Sequence, residues 1–101
     1  SEKVRERVIA ARQIQEERFK DIEGVYCNAQ MSSKQMRTFA QIDKVGSDLL
    51  KNAMQRLNLS ARAYDRIIKV ARTIADLAHE RYVSENHVLE ALSFRPKNLF
   101  E

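Results

Sequence analysis

A chain of 101 residues has the size of one small domain, whose modest core leaves little room for a catalytic cleft. Hydrophobic residues at 44% and charged residues at 32% exclude a disordered chain, and a single cysteine, Cys27, excludes an intrachain disulfide and fits a reducing cytoplasm. The net charge of +4 is mild: residues 1–23 balance, and the basic surplus lies between Lys34 and Arg81, as suits a solvated surface or a phosphate-bearing partner. No apolar run approaches the roughly 20 residues of a membrane span, and the opening residues do not resemble a signal peptide. A cytoplasmic protein with no membrane partner is expected, and the absence of an initiator Met suggests a piece of a longer chain.

With two glycines and one proline, the sequence predicts helices joined by short polar loops. The stretch "SEKVRERVIAARQIQEERFKDI" reads as a long first helix, with Ser1 as its cap. Val4, Val8, Ala11, Ile14, Phe19 and Ile22 share one side, and Gly24 ends it. An ordered loop through Asn28 should lead to a short helix from about Lys34, capped by Ser32 or Ser33, with Met36, Phe39 and Ala40 inward. Asp43 is a suitable cap for a helix from Lys44 to Leu57, with Val45, Leu49, Ala53, Met54 and Leu57 as its stripe and Gly46 in its first turn.

After a tight turn at Asn58–Leu59, Ser60 caps a strongly periodic helix spanning 61–79. Tyr64, Ile67, Ile68, Ala71, Ile74, Ala75 and Ala78 form its apolar face; Arg62, Arg66, Lys69 and Thr73 fall on the far side, and Val70 and Leu77 lean outward. A last short helix starts after Ser84, with Val88, Leu89, Ala91 and Leu92 as its apolar residues. Pro96 disfavours a helical Arg95, so 96–101 reads as a tail. The expected architecture is all-α: a single domain over 1–101, a small bundle of about five helices.

Chemistry of the usual kinds is sparse. Gly24 and Gly46 stand alone, without the glycines and Lys-Ser/Thr pair of a phosphate loop, so the chain does not cradle a triphosphate by itself. Cys27, His79 and His87 have no metal-ligand spacing, and no metal site or catalytic residue is expected in this chain. Each has an ordinary role: Cys27 as a small buried group, His79 as a cation at a helix end, His87 as a polar first-turn residue. Arg62 is different. It occupies the first turn of its helix, where a cation is unfavourable by about a few tenths of a kcal/mol. An anion there would meet both the exposed backbone N–H groups and the guanidinium.

Around this arginine, "LNLSARAYDRIIKVARTIADL" resembles the C-terminal domain of bacterial magnesium-chelatase-like AAA+ ATPases of the ComM type. Arg7-Val8, Ala11-Arg12, Gln15 and Arg18 fit that family's first-helix spacing; "CNAQM", Asp43 and "VSENHVLEALSFR" fit as well, and the likeness runs from about Val4 to Arg95. The resemblance implies a helical lid, a C-terminal fragment of a larger ATPase, which closes over ATP and Mg²⁺ held by the ATPase core domain. Ser60-Ala61-Arg62 matches the family's sensor 2 signature, whose arginine reaches the γ-phosphate. The resemblance further implies an ATP-driven homo-oligomeric ring acting on DNA; nothing in these residues suggests porphyrin chemistry. Two rivals remain open: a free-standing DNA-binding domain, with 44–57 and 61–79 as a helix-turn-helix, and an interaction bundle using Val70 and Leu77.

Overall fold

In the computed structural model, which describes residues 2–93, the chain folds as five α-helices: α1 Glu2–Phe19, α2 Ser33–Phe39, α3 Lys44–Arg56, α4 Ala61–Leu77 and α5 Glu85–Ser93. A short 3-10 turn, Asn28–Gln30, sits between α1 and α2. The fold is all-α, as the periodicity requires. Among the described residues no strand forms; one parallel bridge joins Ile42 to Val83. The expectations for Ser1 and for the tail 96–101 lie outside the described residues.

Local chemistry explains the helix ends. Ser32 accepts from the Gln35 N–H while Gln35 Oε1 accepts from the Ser32 N–H, a reciprocal cap that starts α2. Asp43 Oδ1 takes the Gly46 N–H at 2.7 Å and starts α3, and Ser60 Oγ takes the Ala63 N–H at 3.2 Å and starts α4. At Ser84, His87 stands where a glutamate usually closes the cap: its Nδ1 accepts the Ser84 N–H at 3.0 Å. The long helices α3 and α4 stop alike. Asn58 and His79 adopt left-handed backbone, at φ 52° and 58°, and the next residue donates back: Leu59 N–H to the Met54 carbonyl, Glu80 N–H to that of Ala75. His79 thus ends α4 by its backbone geometry.

Helix α4 is the axis of the fold. It packs against α5, α1, the 3-10 turn and α2, while α3 packs mainly against α5. Ala63, Ile67, Ala71 and Ala75 are fully enclosed, with Val83, Val88 and Ala91 on the α5 side and Met31, Met36 and Ala40 around α2. Phe19 meets Phe39 edge-to-face at 5.4 Å, closing the end of α1 over α2.

Several periodicity expectations shift. Helix α1 ends at Phe19 rather than Ile22; the chain then turns, and Gly24 takes φ +81°, a conformation that suits glycine. Only the C-terminal half of α1 has a neighbour, so Ala11 and Phe19 are buried while Val4 and Val8 remain 57% and 38% exposed. In α3 Gly46, Leu50 and Ala53 are buried; Ala53 belongs to the expected stripe, but Val45 and Leu57 stay exposed, because α5 covers only one flank of it. Gly46 is sterically required: a Cβ there would lie 2.9 Å from Ile42 Cγ2 and 3.2 Å from the Glu85 backbone nitrogen. Val70, expected to look outward, packs against the core; Leu77 is half-buried.

Candidate functional site

The Ser60 cap fixes the first turn of α4 and leaves Arg62 on its exposed side. Arg62 holds no hydrogen bond or ion pair among the described residues. It lies on an open groove of about 460 Å³ shared with Ala29, Asp65, Arg66, Lys69 and Val70. Three cations and one carboxylate therefore line a surface whose wall is the 3-10 turn. Chemically the arrangement suits an anion: backbone N–H groups at a helix start, an exposed guanidinium, and two further positive side chains along the next turns.

A second polar centre lies toward the other end of the same helix, and the sequence pattern did not reveal it. Arg72 and Asp76, one turn apart on α4, are 2% and 1% exposed. Asp76 receives a two-pronged hydrogen bond from Arg18 of α1, at 2.6 and 2.8 Å, and a third from Asn28 Nδ2 at 2.8 Å. Arg72 Nη2 stands 3.0 Å from Asp76 Oδ1. The Arg72 guanidinium also donates to three backbone carbonyls, those of Phe39, Glu80 and Arg81. Burial lowers the Arg72 pKa from its ordinary value; Asp76 pulls it back up and Arg18 adds to the lowering. Gln15 Oε1 accepts the Asn28 N–H, and Asn28 Nδ2 reaches Thr73 Oγ1, so Thr73 is not the solvated residue its wheel position suggested.

This centre brings together Gln15, Arg18 and Asn28, all within the motifs of the first helix and "CNAQM", with Arg72 and Asp76. The signal for it was the Arg-x-x-x-Asp spacing at the edge of the apolar face of α4, opposite polar residues in the stripe of α1. The other sequence candidates stay apart. Cys27 is half-buried beside the 3-10 turn rather than in the core, and His87 is buried in its cap. Among the described residues, no group of three or more His, Cys, Asp or Glu is placed to hold a metal ion, and no helix is long and apolar enough to cross a membrane.

Fold and site together define a small helical domain with an exposed basic helix start and a buried ionic brace. The chain belongs to the family described as the C-terminal part of magnesium chelatase subunit ChlI, whose model matches residues 1–95. It is 41% identical over 95 residues to the competence protein ComM of Haemophilus influenzae, covering 94% of this chain and 18% of that protein. It is 36% identical over 92 residues to the uncharacterised protein YifB of Escherichia coli, covering 91% and 17%. An uncharacterised protein of Mycobacterium bovis is 35% identical over 92 residues, with 91% and 18% covered. The chain spans less than a fifth of the length of these curated relatives.

Proposed function

We propose that this domain is the C-terminal helical lid of a longer, cytoplasmic AAA+ ATPase and that Arg62 is its sensor 2 residue. The ATP and its Mg²⁺ are held by the ATPase core of the longer protein; the lid closes over them and brings Arg62 to the γ-phosphate. The observation that carries this reading is the setting of Arg62. An exposed arginine without an internal partner opens a Ser-capped helix, beside Arg66 and Lys69, in a chain of the magnesium chelatase C-terminal family. The dipole cost of a cation at that position is offset when a triphosphate arrives. We further propose, from the resemblance to magnesium-chelatase-like AAA+ ATPases, that the longer protein is a ring-forming, ATP-driven motor that acts on DNA.

Nothing in the packing favours the helix-turn-helix alternative, since α3 rests chiefly on α5. The interaction bundle is less favoured, because Val70 and Leu77 are both half-buried and Val70 packs in part against the core.

The test is steady-state ATP hydrolysis by the longer protein. Arg62→Ala should lower it by on the order of tenfold to a thousandfold, the scale for one charged group that stabilises a transferring phosphate. Arg62→Lys should rescue poorly, because a point charge does not reproduce the planar fork. Arg66→Ala, one turn on, should be milder. Wild-type turnover by Arg62→Ala would remove the assignment, and loss confined to Arg66→Ala would move it by a turn. The 101-residue chain alone should not turn over ATP.

A further inference from the structure

Asp76 answers two guanidiniums with one carboxylate, since both Arg18 and Arg72 lie against it. In formal charges the centre keeps one unit of positive excess. The other acceptors around Arg72 are backbone carbonyls, which bring no countercharge, and its Nε–H is buried without an acceptor. An uncompensated charge in a low-dielectric interior is costly, and an anion within reach would relieve it. One part of the centre reaches the surface: the Arg18 side chain is 12% exposed. A cleft of about 480 Å³ opens over it, between the C-terminal half of α1, the end of α2 and the loop after α4. Its rim carries Thr38, Gln41 and Arg81, whose guanidinium lies 5.4 Å from the Tyr82 ring centre.

We propose that this cleft is a carboxylate-binding site, which takes an acidic side chain from a polypeptide segment docked across Phe39 and Tyr82. A carboxylate matches the single excess charge, the forked donors of Arg81 and the N–H groups of Arg18 that Asp76 and Asn28 do not take up. A phosphate dianion suits the cleft less well, because Asp76 and Glu80 share its lining and would repel the second charge. The size of the cleft exceeds that of one carboxylate, and its aromatic walls give the rest of a peptide segment apolar surface to cover. The site is independent of the nucleotide assignment: ten residues of helix separate Arg62 from Arg72, roughly 15 Å along the axis.

The experiment is an NMR titration of the 101-residue chain at constant ionic strength with three probes: N-acetylglutamate amide, its neutral glutamine analogue, and inorganic phosphate. The glutamate probe should saturate with a Kd on the order of 10 mM, as befits a fragment of a larger ligand. Its shifts should centre on the Arg18 and Arg72 Nε–H signals and on the amides of residues 79–82. Arg81→Ala, at an exposed rim position, should weaken it about threefold to tenfold without moving the thermal unfolding midpoint; Arg62→Ala should leave it unchanged. The proposal fails if nothing saturates below about 100 mM, if the glutamine analogue shifts the same signals equally, if phosphate binds more tightly, or if the shifts gather on residues 62–69.

Discussion

Helix α4 carries two arginines ten residues apart that live opposite lives. Arg62, in the first turn, stands in solvent with no partner among the described residues, while Arg72 is enclosed and spends its donors on Asp76 and three carbonyls. The difference shows where a cation is available for a ligand and where it belongs to the architecture. At the exposed end its removal costs the fold almost nothing and should be felt only by a bound anion. At the buried end the same charge ties Asp76, the end of α2 and the loop after α4 together, so its loss is a loss of structure.

The contrast breaks most forcefully at Asp76. Asp76→Ala leaves Arg18 and Arg72 without their shared counter-ion and should cost about 3–5 kcal/mol. That approaches the whole stability of a small domain. Urea unfolding checks it, and a loss below about 1 kcal/mol would mean that the brace is solvated and the contrast false. Next comes Gly46→Ala, expected to destabilise by about 1–3 kcal/mol, since the new methyl meets the Ile42 side chain and the backbone that starts α5. An unchanged urea midpoint would show that α5 shifts freely. Ser60→Ala sharpens the exposed end: it removes the acceptor for the Ala63 N–H and should cost about 1 kcal/mol while the fold persists, as read by circular dichroism and thermal melting. Smallest is Arg62→Ala, expected to change stability by less than about 0.5 kcal/mol, because alanine favours helix and the side chain is exposed. A larger loss would show that Arg62 serves the fold and would count against the proposed ligand role.

Much of the fold was legible because helix signals are local. The caps at Ser32, Asp43, Ser60 and Ser84, the apolar periods of α1 and α4 and the scarcity of glycine and proline placed all five helices to within a few residues. Burial was less legible because it depends on neighbours. Val4 and Val8 sit on the proper side of α1, yet that half of the helix extends beyond anything that would cover it; Leu50 is buried because α5 lies where no pattern within α3 announces it. Arg62 was legible as a residue out of place. Arg72 and Asp76 were not, because a helix-wheel argument sends charged residues to water. Only the fold, by bringing Arg18 and Asn28 beside them, makes their burial tolerable.

The bridge between Ile42 and Val83 has a kinetic side. Val83 N–H donates to the Gln41 carbonyl and Asp43 N–H to that of Val83, while the Arg72 guanidinium holds the carbonyls of Phe39, Glu80 and Arg81 from beneath. The loops on either side of α3 and α4 are thus tied to each other and to the centre of α4. Neither opens alone. Amide protons of Asp43 and Val83 should therefore exchange with solvent only through the same cooperative opening that exposes Ala71, making these two loops part of the slowest-exchanging unit of the domain.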